Sequence, residues 1–272
     1  MLRPRIIPCL LVHKGGLVKT TRFTDPKYVG DPLNAVRIFN EKQVDELIVA
    51  DIDATVLGKE PDYALIGKLA SECRMPLCYA GGVKTVEQID RIIGLGVEKV
   101  ALGSIAVQTP NLITNAARNV GSQSIVVVLD VKKVGLLRQY EVFIHNGKLA
   151  TGLNPAEFAH RVESLGAGEI LVNSIDQDGA MKGYDYVLID KVRDAVSLPI
   201  SVLGGAGTLG DIQALVRRYG VIGAAAGSLF VFKGKYRAVL IQYPTQPEKD
   251  ALFSDHDGSP TLEWLASHRS RR

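Results

Sequence analysis

The chain has 272 residues, 46% of them hydrophobic and only 6% aromatic, with a formal net charge of +3. So small and scattered a charge, with few aromatics to stack on bases, argues against a nucleic-acid groove, and no apolar run reaches the roughly 18 residues of a membrane span. The first apolar stretch is too short and too soon followed by charge for a secretory signal, and three cysteines (Cys9, Cys73, Cys78) lack zinc spacing, so a cytoplasmic protein is expected.

Along the chain, short apolar runs alternate with segments whose apolar residues fall three and four apart. RIIPCLLV (5–12) is followed by PLNAVRIFNEK, ELIVADI (46–52) by YALIGKLASEC, PLCYAGG (76–82) by VEQIDRIIGLG, and KVALGS (99–104) by NLITNAARNVG. SIVVVLDV (124–131) then precedes PAEFAHRVESLG, EILVNSID (169–176) precedes YVLIDKVRDAV, PISVLGG (199–205) precedes IQALVRRYG, and IGAAAGS (222–228) ends the series. Strands buried on both faces read as continuous apolar runs. Eight such units at this length predict an α/β fold, a (β/α)8 TIM barrel, over a doubly wound open sheet.

An internal repeat favours closure. DELIVADIDAT matches GEILVNSIDQD, setting Asp53 against Asp176 at an offset of 123 residues. At the same offset MPLCYAGG matches LPISVLGG, setting Gly82 against Gly205, while ALGS and AAGS, ending at Ser104 and Ser228, are offset by 124. Four units recur, which predicts a duplicated half-barrel with approximate two-fold symmetry. The pattern fades after about residue 234, so we expect one barrel over 1–240 and a polar, Pro-rich tail over 241–272 with the composition of a disordered segment.

Catalytic groups in such a barrel come from the C-terminal ends of its strands. Gly82 with Gly103 and Ser104 predicts one phosphate pocket, and Gly205 with Gly227 and Ser228 a second about half a turn away. Glycine lets a ligand approach main-chain N–H groups, and a helix start offers unpaired donors. Any one of these pairs is also explained as a tight turn; their symmetric placement favours a substrate with a phosphate at each end. Asp130, ending the fifth run, is placed to take and return protons, with a salt bridge to Lys132 or Lys99 as the structural alternative. Asp51 and Asp176 fit loop-orienting or capping roles. Lys19, in the Gly-rich loop after the first run, either closes over an anionic substrate or is a solvated lysine. The five histidines form no metal-ligand set, and neither metal nor cofactor is expected. At the opposite end Arg5, Glu46, Lys99 and Glu169 begin four of the runs, and on chemistry alone they are a stabilising ion network.

RIIPCL, the loop ending LVKT, GDP (30–32), DELIVADI, AGGV, GSQSIVVVLDVK, the Thr151–Gly152 pair, GAGEILVNSIDQDG, KGYD and LGGAG together resemble the cyclase subunit of imidazole glycerol phosphate synthase, over about 5–232. The resemblance implies a barrel that receives ammonia from a glutaminase subunit docked at its bottom, as a heterodimer. The ammonia passes to the mouth, where a substrate bearing two phosphates is cyclised and cleaved. By position, Arg5, Glu46, Lys99 and Glu169 become the ammonia gate, which displaces the ion-network interpretation. The phosphate pockets become Gly82, Gly103 and Ser104 on one side, and Asp178, Gly179, Gly205 and Ser228 on the other. Lys19 becomes the loop lysine and Asp130 one of two catalytic aspartates. Gly103 and Ser104 stand where the family has an Asn–Thr pair.

The other aspartate ends the family's first strand as PCLDV; here the residues are PCLLV, with Leu11 in its place. Leucine can neither accept nor deliver a proton. Two functions follow. One is a synthase subunit that keeps glutaminase docking and ammonia conduction without the standard ring closure, similar to family relatives associated with sugar amidation in surface-polysaccharide pathways, where ammonia goes to a separate amidating enzyme. The other is a working lyase/cyclase subunit of histidine biosynthesis that tolerates Leu11.

Overall fold

The first apolar run forms β1 (Arg5–His13), and the Gly-rich stretch after it, expected as a loop, folds into a hairpin of β2 (Gly16–Thr21) and β3 (Thr24–Gly30) in the computed structural model, which describes residues 3–254. Then come α1 (Pro32–Glu41), β4 (Leu47–Asp51), α2 (Tyr63–Glu72), β5 (Leu77–Ala80), α3 (Val86–Gly94), β6 (Lys99–Leu102), α4 (Ser104–Gln108) and α5 (Asn111–Val120). Strand β7 (Ile125–Val134) overruns its expected end into a second antiparallel insertion with β8 (Gln139–Ile144) and β9 (Leu149–Ala150). The rest is α6 (Pro155–Ser164), β10 (Glu169–Ser174), α7 (Tyr186–Arg193), β11 (Ile200–Leu203), α8 (Leu209–Tyr219), β12 (Gly223–Ala226), α9 (Ser228–Val231), the small hairpin β13 (Phe232–Lys233) and β14 (Ala238–Val239), and α10 (Gln246–Phe253).

Strands β1, β4, β5, β6, β7, β10, β11 and β12 pair in parallel in that order, and β12 returns to β1 with Arg5 opposite Gly223. The sheet is therefore closed. Side chains alternate along each strand, so Ile6, Leu10, Val49, Val100 and Ile170 pack outward under the helices. Ile7, Cys9, Ile48, Cys78, Ala101, Val126, Leu171, Leu203 and Ala225 fill the lumen. Both faces are buried, and each fully buried Ile or Leu contributes roughly 1.5–3 kcal/mol. Helix starts follow from local chemistry: Asp62 and Asp185 accept the main-chain N–H groups of Leu65 and Leu188, and Thr85 and Thr208 form capping boxes with Gln88 and Asp211. Both cap pairs keep the repeat offset of 123 residues. The duplication thus extends from strands to the signals that begin the helices.

The eighth barrel helix lies beyond the expected barrel end at 240. It is α10, which packs on α8. The Tyr243 hydroxyl donates to Ile6 O at 2.9 Å and accepts from Asp45 N at 3.1 Å, and Lys249 Nζ pairs with Asp45 Oδ1 at 2.7 Å. Periodicity missed this helix because the one side chain of QPEKDALF that is fully buried is Lys249, with Leu252 and Phe253 only partly covered at its end. The remainder of the expected tail, 255–272, lies outside the described residues, Trp264 and Leu265 included. No helix among the described residues is long and apolar enough to cross a membrane.

Candidate functional site

A cavity opens where the barrel strands end, and Leu11 from β1 and Asp130 from β7 both line it, together with Cys9, Asp51, Val128, Asn173 and Leu203. Asp130 meets neither lysine offered by the sequence. Its Oδ1 instead accepts from Asn173 Nδ2 at 2.8 Å, Lys99 belongs to the opposite end of the barrel, and Lys132 lies 5.8 Å from the Phe143 ring. Burial pushes the Asp130 carboxyl up to about 7; the Asn173 amide opposes this and the nearby Asp178 charge adds to it. Near neutral pH the group is shared between acid and base forms, which suits proton transfer. Asn173 Oδ1 is buried and has no hydrogen-bond partner.

Two insertions roof this cavity. From the β2–β3 hairpin, Lys19 Nζ pairs with Asp178 Oδ1 at 2.7 Å, Thr20 Oγ1 donates to Asp178 Oδ2 at 2.8 Å, and Phe23 N donates to the same oxygen at 3.3 Å. Lys19 is 6% exposed, so it is neither a solvated lysine nor a loose one. Its partner's charge is engaged, and the Lys19–Asp178 pair adds no net charge to its surroundings. From the β8–β9 turn, Asn146 Nδ2 reaches Ile52 O at 2.6 Å and His145 N donates to Ser104 Oγ at 2.9 Å. The insertions approach each other closely: a Cβ on Gly147 would stand 3.2 Å from Phe23 Cδ2.

Two pockets flank the cavity. Gly82, Gly103 and Ser104 line one, with Lys84, Gln108 and His145; Lys19, Asp178, Gly179, Gly205, Gly227 and Ser228 line the other. Gly82 (φ 71°) and Gly205 (φ 116°) occupy the left-handed region, and a Cβ on Gly205 would run into Gly183 O. The structure thus brings Gly82, Gly103 and Ser104 together, and Gly205, Gly227 and Ser228 together. Asp51 Oδ1 accepts from Asp53 N and Ala54 N of its own loop, and Asp176 Oδ2 accepts from Lys133 N, tying its segment to the extension of β7. His13 Nδ1 and Asp53 Oδ1, 2.7 Å apart, pair with each other and do not line the cavity. Sequence reasoning missed Phe23, Lys84, His145 and Asn146. The HNG turn at 145–147 was the available signal for the last two, and Lys84 directly follows the AGGV motif.

At the opposite end, Arg5 bonds Glu46 and pairs with Glu169 at 2.7 Å, while Lys99 Nζ lies 3.0 Å from Glu46 Oε1 and 2.8 Å from Glu169 Oε2. The four groups form one alternating ring, and the Ser201 hydroxyl donates to Glu169. Burial disfavours the charges of Arg5, Lys99 and Glu169, yet the pairing prevails. Arg5 and Lys99 are held above their ordinary values and Glu169 below its own. Between ring and cavity the lumen is apolar, and burial pushes the Cys9 thiol up to about 12, which keeps it neutral.

Residues 5–237 match the family model described as "Histidine biosynthesis protein". A Leptospira interrogans protein provisionally named imidazole glycerol phosphate synthase subunit HisF is 55% identical over 253 residues, 93% of this chain and 100% of its own length. A Vibrio vulnificus protein, provisionally subunit hisF3 of that synthase, is 57% identical over 249 residues, covering 92% of this chain and 96% of its own. The imidazole glycerol phosphate synthase subunit HisF of Alkaliphilus metalliredigens is 41% identical over 230 residues, 85% of this chain and 91% of its own.

Proposed function

The chain belongs to the histidine biosynthesis protein family, among the HisF-like synthase subunits, and on that premise we propose that it is the barrel subunit of a glutamine-dependent amidotransferase that conducts ammonia without the standard ring closure. The observation that carries this is Leu11 in the cavity wall it shares with Asp130. Of the three carboxylates lining that cavity, Asp178 pairs with Lys19 and Asp51 takes two main-chain N–H groups of its own loop. Asp130 alone is placed for proton transfer, where ring closure in the family uses two opposed carboxylates. Losing one general acid or base removes ~10²–10⁴ of rate.

The rest of the barrel fits conduction. Ammonia from a glutaminase subunit docked at the bottom, in a heterodimer, enters past the ring of Arg5, Glu46, Lys99 and Glu169. It then crosses a lumen of neutral side chains, which admit ammonia and disfavour ammonium. At the mouth, the open acceptor Asn173 Oδ1 beside Asp130 suits an arriving N–H group. The two flanking pockets hold a small phosphorylated ligand, and the ammonia passes to a separate amidating enzyme of surface-polysaccharide synthesis in the cytoplasm.

Assembly of both pockets favours a second function, the cyclase subunit of histidine biosynthesis itself. Steady-state kinetics of the purified chain with an ammonium salt and the bis-phosphate substrate of that pathway separate the two. Turnover at least ~10²-fold below a cyclase with both aspartates is expected; turnover at the full cyclase rate overturns the conduit.

A further inference from the structure

The two pockets beside the mouth differ in charge. In the first, Lys84 is the lining cation; its Nζ donates to Gly58 O at 3.1 Å, and it forms no ion pair among the described residues. In the second, the charged lining residues are Lys19 and Asp178, paired at 2.7 Å with both side chains nearly out of solvent. Their charges cancel. The repeat explains the asymmetry, because the offset of 123 residues sets Gly207 where Lys84 stands in the first half. A phosphate dianion in the second pocket would meet N–H groups and a hydroxyl but no net positive charge, a weak arrangement for so concentrated a charge.

Arg237 stands beside this pocket, on an element outside the repeat. It sits in the turn of the β13–β14 hairpin at φ 50°, with its main-chain N–H bonded to Gly234 O at 3.0 Å. Its Nη2 donates to Ser228 Oγ at 3.3 Å, and its guanidinium carbon lies 4.7 Å from the centroid of the Phe232 ring. Its Nε is buried with no acceptor, and it forms no ion pair among the described residues. The guanidinium thus rests on an aromatic face beside Ser228, which lines the pocket, and holds an N–H that the chain itself does not pair. Ser228, accepting from Arg237, keeps its own hydroxyl proton free to donate.

We propose that Arg237 is a ligand of the Ser228 pocket and supplies the net positive charge with which that pocket holds a phosphate monoester, as Lys84 does for the Ser104 pocket. This rests on the phosphate assignment of the two pockets and not on the loss of ring closure. The planar fork can bond two phosphate oxygens at once, whereas Lys84 offers a point charge. The two ends of a doubly phosphorylated ligand would therefore be held by different chemistry.

Titration of the ¹⁵N-labelled full-length chain with inorganic phosphate tests this, with the amides of Gly205 and Ser228 reporting one pocket and those of Gly82 and Ser104 the other. Arg237→Gln should weaken phosphate at Gly205 and Ser228 about tenfold and leave Gly82 and Ser104 unchanged. Arg237→Lys should recover part of the loss, and Lys84→Gln should give the mirror image. Unchanged half-saturation at Gly205 and Ser228 in Arg237→Gln overturns the proposal, as does a wild-type chain in which phosphate shifts neither amide. An equal loss at both pockets also overturns it, since that marks a general change of charge or fold. Full cyclase turnover would refute the conduit without altering these titrations, so the two proposals fail separately.

Discussion

Asn173 Nδ2 lies 2.8 Å from Asp130 Oδ1 because β10 and β7 pair in a register that sets the two residues side by side. Burial outweighs that amide and leaves the carboxyl at about 7. The folded chain therefore holds this proton at pH values where the unfolded chain has released it. Asp130 stabilises the fold below the ordinary carboxylate range, and the contribution is lost as pH rises toward 7. Asp130→Asn, which cannot ionise, should gain stability relative to the parent across that window, by on the order of 1–3 kcal/mol. Urea midpoints at pH ~5 and ~8 measure it; a difference independent of pH would mean an unshifted carboxylate.

Leu11→Asp puts a second carboxylate into the cavity wall. Ammonia-dependent turnover of the bis-phosphate substrate should rise by ~10²–10⁴ over the parent. The new like charge should also push Asp130 further up, moving the rising limb of the pH–rate profile to higher pH. Stability should fall by about 1–3 kcal/mol from the partly buried polar group. Substrate binding without turnover would show that the mouth has diverged at more than one residue.

Lys99→Met leaves Glu46 and Glu169 with Arg5 as their remaining partner in the ring. The cost should be about 3–5 kcal/mol at neutral pH. Glu169, held below its ordinary value, contributes stability that is present above the carboxylate range and lost as pH falls. The gap between parent and variant should therefore narrow toward acid, as urea melts at several pH values would show. With the glutaminase bound, glutamine hydrolysis should outrun amidation of the acceptor; unchanged coupling removes the ring from the ammonia path.

Tyr243→Phe removes the hydroxyl shared by Ile6 O and Asp45 N, next to Arg5 and Glu46 in the chain. A loss of about 1–3 kcal/mol is expected from the orphaned main-chain groups. Truncation after residue 240 removes α10 as well, and should yield an insoluble or molten chain by near-ultraviolet circular dichroism. A cooperative melt of that fragment would show that the eighth helix is dispensable.

Much of this was legible because a strand buried on both faces leaves an apolar run, and because duplication repeats such runs at a fixed offset. Asp62 with Asp185, and Thr85 with Thr208, show that offset acting at the helix starts too. The hairpins after β1 and β7 were not legible. KGGLVKT has the glycines of a loop, and its strand character depends on Leu11 pairing with Val18 across the turn. For α10 the difficulty was different: its one fully buried side chain is Lys249, which hydropathy counts as polar, and Leu252 and Phe253 pack on the core only in part.

The sequence by itself determined the barrel, the repeated glycine and serine strand ends and the absence of a carboxylate at Leu11, since these depend on local pattern and on residue identity alone. Only the tertiary structure decided that Lys19 pairs with Asp178, 159 residues away, that Asn173 and not a lysine meets Asp130, and that Arg237 reaches Ser228. Such contacts depend on how strands register and tilt as the sheet closes on itself, a global condition that no short window of sequence contains.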